Sequence, residues 1–184
     1  MARYVKISAL GFNNYIETDS ERSLELYVKD VINYLDMQID KVLCDKPDLI
    51  VLPECCDRII KNVKNRHENS DRIMDYYKVR GDRVKEHLSG LAKSYGISIA
   101  YSACRILPDH TMRNSIQFIN GMGEIDGIYD KNHVMIEEYN RGILYGETAD
   151  IINSEIGRIA GVICFDLNFD DLRQKYIQQR PDLL

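Results

Sequence analysis

The sequence predicts an α/β layered domain with a mixed sheet, and three observations carry that prediction. In the first half, segments of strand character alternate with amphipathic helical segments. One strand segment is a continuous aliphatic run, the pattern of a strand buried on both faces. In the second half, strand segments follow one another across short turn sequences, which makes antiparallel hairpins.

"YVKISALG", Tyr4 to Gly11, is rich in β-branched and aromatic residues and reads as the first strand. "TDSE", Thr18 to Glu21, has the spacing of a capping box and opens a helix. Leu24, Val28, Val31, Leu35, Ile39 and Val42 then form one apolar stripe, a core-facing surface with no further role. Pro47 closes that helix, because proline disfavours helical backbone at the residue before it. "DLIVLPECC", Asp48 to Cys56, holds the buried aliphatic run. The charged stretch Asp57 to Asp71 reads as a surface loop or irregular helix. A second amphipathic helix follows through Val84, Leu88, Leu91 and Tyr95, with Gly96 as its C-terminal cap. "ISIAYSACR", Ile97 to Arg105, is the next strand. "NSIQFI" and "EIDGIYDK" form a hairpin around Asn120 to Gly123, and "ADIINS" and "RIAGVICF" form another turning at Glu155–Gly157. Phe169 to Gln179 reads as a third helix. "KPDLIVL" after the first helix is echoed by "RPDLL" after the third, so the last residues read as the start of a buried strand.

At 184 residues the chain is long enough for one domain with a real core, and no repeat or linker divides residues 1–184. The net charge of −5, with no basic cluster interleaved with aromatics, excludes a nucleic-acid surface. No run approaches the ~18 apolar residues of a membrane span, and the N-terminus does not read as a signal peptide. The expectation is a cytoplasmic protein with no membrane partner. Cysteines 44, 55, 56, 104 and 164 show neither a CxxC pair nor a Cys/His zinc pattern, and the four histidines are scattered. No metal and no cofactor are expected. Cys55 and Cys56 read as packing residues, and His133 as a neutral, hydrogen-bonded histidine.

Three polar residues share one kind of position, at or just past the C-terminal end of a predicted strand: Glu54, Lys131 and Cys164. Ligands of open α/β sheets bind outside those ends. A carboxylate can serve as general base toward a thiol, and an ammonium can favour the thiolate and hold an oxyanion. The backbone N–H of Phe165 is a natural second oxyanion donor. Taken singly, Cys164 reads as a buried structural cysteine, the ordinary fate of a free thiol, and Lys131 as a surface lysine.

Their surroundings are more specific. "LIVLPE", "YDKNH" and "GVICFD", in that order, resemble the three catalytic signatures of the nitrilase (carbon–nitrogen hydrolase) superfamily. "RNSIQFINGMGEIDGIYDKNH" resembles the family segment leading into its lysine, with Asn114 at the head of the strand. The resemblance implies a nitrilase-type four-layer αββα sandwich and a Glu–Lys–Cys triad at Glu54, Lys131 and Cys164. It also implies a second, substrate-orienting glutamate, for which "IEEY" offers Glu137 and Glu138. Glu137 is favoured, because "IEEYNRG" resembles the "IEG" segment of aliphatic amidases. Cys164-Phe165-Asp166 is similar to amidases and carbamoylases rather than to true nitrilases. The implied reaction is hydrolysis of a small-molecule amide or N-carbamoyl compound through a cysteine thioester. Family members continue past residue 184, so the sandwich is expected to be incomplete at its C-terminal side. The resemblance further implies a homodimer or higher homo-oligomer, with "DDLRQKYIQQ" as a partner surface. The rival reading is an inactive relative serving as a binding or regulatory subunit. A nucleotide-binding module lacks its GxGxxG or GxxxxGK[ST], and a serine hydrolase its GxSxG.

Overall fold

The computed structural model describes residues 4–12, 22–58 and 70–184. The Thr18–Glu21 capping box and most of the Asp57–Asp71 stretch lie outside those residues. Five strands, β1 (Ile7–Ala9), β2 (Leu49–Val51), β3 (Ser98–Ile106), β4 (Met112–Ile119) and β5 (Ile125–Asp130), form one sheet in the order β1-β2-β3-β4-β5. β1, β2 and β3 pair parallel, whereas β3, β4 and β5 pair antiparallel. The connections dictate that division. α1 (Leu24–Leu43) joins β1 to β2, and α2 (Ser70–Arg80) and α3 (Arg83–Tyr95) lie between β2 and β3, as parallel crossovers require. The β4–β5 connection is a tight turn in which Gly123 takes a positive φ of 82°.

Alternation along the strands divides the core. On one face, Ile50, Ile99 and Tyr101 pack with Val28, Val31 and Leu35 of α1 and with Val84 and Leu88 of α3. The predicted α1 stripe is therefore the helix–sheet seam. Each fully buried aliphatic side chain there, such as Leu35 or Leu88, contributes roughly 1.5–3 kcal/mol. On the other face, Leu49, Ala100 and Phe118 meet Ile152 and Ile159 of a hairpin, β6 (Ile152–Ser154) and β7 (Gly157–Ile159). α5 (Asp170–Gln179) then packs Leu172 and Tyr176 against Tyr129, Ala160 and Ile163. Helices, mixed sheet and hairpin layer give the mixed α/β architecture of the nitrilase type.

The "PDL" echo has the same hydrogen bonds at both sites. Lys6 N–H donates to the Asp48 carboxylate and the Lys6 carbonyl accepts from Asp48 N–H, both at 2.8 Å. Arg158 N–H donates to Asp182 at 2.8 Å and its carbonyl accepts from Asp182 N–H at 2.7 Å. In both places the next leucine pairs parallel with the neighbouring strand, Leu49 with Ile7 and Leu183 with Ile159. The β7–α5–Leu183 unit thus repeats the geometry of β1–α1–β2.

Two elements depart from expectation. α2 carries a helical stripe of Ile73, Tyr76, Tyr77 and Arg80, which hydropathy alone does not mark because a buried arginine stands in it. The strand expected through "RIAGVICF" ends at Ile159. Ala160 donates to the Leu183 carbonyl at 2.9 Å, and the chain runs on extended to Ile163 without further ladder.

Candidate active site

Glu54 stands in a turn that begins where β2 leaves the sheet. Leu52 N–H still bonds the Ala100 carbonyl, and Cys56 N–H bonds that of Ser102, both at 3.0 Å. Between them Cys55 adopts a positive φ of 50°. The far end of the turn is anchored by Asp57, fully buried, which pairs with Arg80 and accepts from Tyr101 Oη. Glu54 is therefore held from both sides by a backbone it does not itself stabilise.

Lys131 follows β5 directly, and only 1% of its side chain is exposed. Its Nζ donates to Glu54 Oε1 at 2.9 Å and to Glu138 Oε2 at 2.8 Å. Asn114, fully buried on β4, donates through Nδ2 to both carboxylates, at 2.7 Å to Glu54 and 2.9 Å to Glu138. Two carboxylates are thus held together by one ammonium and one amide. Gly146 closes on the strand end behind them: its N–H bonds the Lys131 carbonyl at 2.7 Å, and a Cβ there would stand 2.3 Å from the Asp130 carbonyl oxygen. Only glycine admits that approach.

The structure brings Glu138, not Glu137, onto Lys131 and Asn114. The reason is a one-turn helix, α4 (Ile136–Tyr139), whose third residue reaches back to the Met135 N–H at 2.8 Å. Successive helical side chains point about 100° apart, so Glu137 lies exposed at the rim of the cavity. That cavity is about 300 Å³ and is lined by Glu54, Lys131, Glu137 and Glu138, with Arg58 and Arg141 beside them. The two arginines lie far apart in sequence among ordinary surface charges, and only the fold gathers them.

Cys164 is exposed and takes a positive φ of 45° at the start of a short 3₁₀ turn, Cys164–Asn168, after the extended Ile163. A β-carbon in left-handed backbone costs roughly 1–2 kcal/mol, and such strain clusters at functional sites. Phe165 is the next residue of the turn, where N–H groups lack intrahelical partners. Asp166 ties the turn to the lysine segment. It is buried, and accepts from Tyr129 Oη at 2.7 Å, His133 N at 2.8 Å, His133 Nδ1 at 3.1 Å and Ile163 N at 3.1 Å. His133 also stacks on Phe169 and lies 3.2 Å from Asp171.

The electrostatics follow from these contacts. Burial alone would lower the Lys131 pKa, but the hydrogen bonds to Glu138 and Glu54 outweigh it and hold the ammonium above its ordinary range. Burial pushes the Glu138 carboxyl up, yet bonds from Lys131, Met135 N–H and Asn114 bring it below its ordinary value. The Cys164 thiol is raised, first by desolvation and then by the charge of Glu54, with Lys131 opposing. At rest Cys164 is a protonated thiol facing a carboxylate. Cys56 is buried in the core. Cys55 lines the cavity, donates its thiol to Asn114 Oδ1 at 3.8 Å, and is pushed far up by burial. Among the described residues, no group of three His, Cys, Asp or Glu side chains is arranged to hold a metal ion.

Fold and geometry together define a class: an α/β layered protein in which a buried ammonium just past β5 bridges two carboxylates, with the Cys164 thiol close enough to Glu54 to feel its charge. The family model described as carbon-nitrogen hydrolase matches residues 29–184, and the chain belongs to that family. Its fold is similar to that of a carbon-nitrogen hydrolase from Helicobacter pylori G27, at TM-score 0.67 and 19% identity over 93% of this chain and 55% of that one. An amidase from Nesterenkonia sp. AN1, solved with acrylamide, matches at TM-score 0.65 and 14% identity over 91% of this chain and 58% of that one. The C. elegans NitFhit protein matches at TM-score 0.72 and 19% identity over 95% of this chain and 41% of that one. The chain spans little more than half the length of the first two.

Proposed function

We propose that this chain carries the machinery of a hydrolase that cleaves a non-peptide C–N bond in a small amide or N-carbamoyl compound. Glu54, Lys131 and Cys164 are its catalytic residues, with Asn114, Glu138 and the Phe165 N–H in support. The observation that carries this reading is the bridging of Glu54 and Glu138 by a buried Lys131. The Cys164 sulfur attacks the carbonyl carbon while its proton passes to Glu54. The Phe165 N–H and the Lys131 ammonium hold the tetrahedral oxyanion. The C–N bond breaks as Glu54 returns the proton to the leaving amine, and a thioester remains. Water, deprotonated by Glu54, then releases the acid and restores the thiol. Glu138 stands in the orienting position that the sequence had assigned to Glu137. Arg58 and Arg141 at the rim favour a substrate that carries a carboxylate, so N-carbamoyl amino acids are the first compounds to compare with neutral amides.

The raised Cys164 thiol gives Glu54→Gln two opposite signs. The charge of Glu54 disfavours the thiolate, so its removal lowers the thiol pKa and leaves iodoacetamide labelling of Cys164 at pH 8 unchanged or faster. Turnover of an amide loses its general base and falls by about 10²–10⁴-fold. Mass-resolved labelling alongside a substrate screen checks both. Labelling spread evenly over all five cysteines would instead favour an inactive relative acting as a binding subunit.

A homo-oligomer belongs to the same proposal. α5 carries the exposed Ile177, and Leu167 before it is also exposed, beside an apolar groove that includes Phe169 and Leu172. Sedimentation velocity of the wild-type chain reads this directly: a monomer at micromolar concentration removes the oligomer from the proposal.

A further inference from the structure

Behind the catalytic cluster, on the helix-facing side of the sheet, lies a second cavity of about 660 Å³. The size suits a small organic ligand. Its floor is set by strand register. Tyr101, Gln117 and Ile128 stand abreast on β3, β4 and β5, and Ser115 pairs with Asp130 one step along. Strand alternation puts Asn114 and Lys131 on the opposite side from Ser115 and Asp130. The cavity is therefore separated from the candidate active site by the thickness of the sheet.

Two arginines of its wall reach through to the two segments that carry chemistry. Arg80 pairs with Asp57, three residues after Glu54, and donates to the Cys104 carbonyl at 2.6 Å. Arg105 donates to both oxygens of Asp130, at 2.8 and 3.1 Å, and to Ser115 Oγ at 2.9 Å. Asp130 precedes Lys131, and Ser115 follows Asn114.

Donors are left over in this cavity. The Arg105 bonds use Nε and Nη2, which leaves Nη1 without a partner among the described residues. Gln117 is only 5% exposed and lines the cavity, yet its amide makes no hydrogen bond to any described residue. The Gln117 amide and Arg105 Nη1 are open to the cavity rather than sealed in the core, so a ligand there can accept from both without breaking any bond of the described protein. Lys78, paired with Asp75 at 3.2 Å, and Lys85, paired with Asp82 at 2.8 Å, line the same cavity, while Ile106, Ile125 and Ile128 supply apolar surface.

We propose that this cavity is a second binding site, for a small organic carboxylate with an apolar body, whose occupancy shifts Glu54 and Lys131 from behind. The carboxylate meets Arg105 Nη1 and the Gln117 NH₂, charge-assisted bonds of the strong kind. The apolar body lies on the isoleucines. A bare inorganic anion would leave that surface wet, and a cation would face the arginines. Binding follows from the cavity alone, whereas the coupling rests on the catalytic reading above.

The test uses octanoate, with octylammonium as the opposite-charge control, titrated calorimetrically into the wild-type chain, Cys164→Ser and Gln117→Leu. Octanoate is expected to bind the wild type and Cys164→Ser alike, and Gln117→Leu about tenfold more weakly. Gln117→Leu breaks no bond within the described protein, so its Tm should hold or rise. Octylammonium should not bind. Saturating octanoate should change the rate of Cys164 alkylation at least about twofold, since small displacements of catalytic groups carry large rate effects. Equal octanoate affinity in Gln117→Leu, equal binding of octylammonium, or no binding at about 1 mM overturns the site. Binding with unchanged alkylation overturns the coupling. Unselective cysteine labelling with octanoate binding intact sinks the catalytic reading and leaves the site standing.

Discussion

Lys131→Met is expected to lower the stability of the folded chain by about 3 kcal/mol at neutral pH, read from urea denaturation. The Lys131 side chain is almost wholly buried, and among the described residues its ammonium is the one cation bonded to both Glu54 and Glu138. Methionine keeps the length and apolar stem but leaves two carboxylates sharing Asn114 with no positive charge between them. The pH dependence follows from the directions of the two shifts. Glu138 lies below its ordinary 4.5 in the folded chain, so its contribution is present above that value and is lost as pH falls through the lower folded value. Lys131 lies above its ordinary 10.5, so its contribution is present below that value and is lost as pH rises through the higher folded one. The gap between wild type and variant should therefore be widest across the neutral range and should narrow in acid as Glu138 protonates. Adding Glu138→Gln to Lys131→Met removes one of the two unpaired charges, and with it their mutual repulsion, and should restore at least about half of the loss. A single variant as stable as the wild type would mean that the cluster is solvated rather than held by the lysine.

Much of this arrangement was legible in the sequence, for identifiable reasons. The α1 stripe from Leu24 to Val42 could be read because a helix packed on a sheet must repeat its apolar residues every three or four positions. Glu54 and Lys131, which the fold bonds to each other, could be read together because each follows a run of strand residues, and the ends of strands are where a layered α/β fold places exposed chemistry; the ladder before Cys164 ends earlier, at Ile159. The choice between Glu137 and Glu138 was not legible. It depends on a four-residue helix whose direction is set by Glu138 capping the Met135 N–H, and no periodicity announces one turn. α2 escaped for a different reason. Its inward stripe includes Arg80, which is buried only because Asp57, more than twenty residues earlier, neutralises it. A long-range ion pair can bury a residue that local pattern assigns to the surface. The end of β7 at Ile159 was hidden by the apolar run to Ile163, which packs against α5 instead of continuing in the ladder.

Asp166→Asn is expected to slow chemistry at Cys164 by about 10–100-fold while the chain stays folded, because a displacement of about 1 Å at a reacting group is worth that much. The four bonds that reach the Asp166 carboxylate come from both sides of the site. Ile163 belongs to the run that delivers the nucleophile, and Tyr129 and His133 flank Lys131 in the other segment. Burial, reinforced by the bond to Asp166, keeps the Tyr129 hydroxyl protonated and donating. An asparagine of the same shape offers one acceptor oxygen in place of two, and its NH₂ must face a donor. The turn then has to shift relative to Lys131. Asp166→Ala goes further and leaves the donors unsatisfied in a buried space, at a cost of about 3 kcal/mol or more. The alkylation rate of Cys164 serves as a readout that needs no substrate. With a substrate in hand, the loss should fall on kcat and spare KM, because Asp166 lies outside the cavity that would hold the acyl group. A purely structural role would instead lower stability and leave the rate per folded molecule unchanged. The split between those two outcomes decides whether the aspartate after the nucleophile aligns thiol and ammonium or only packs the turn that carries one of them.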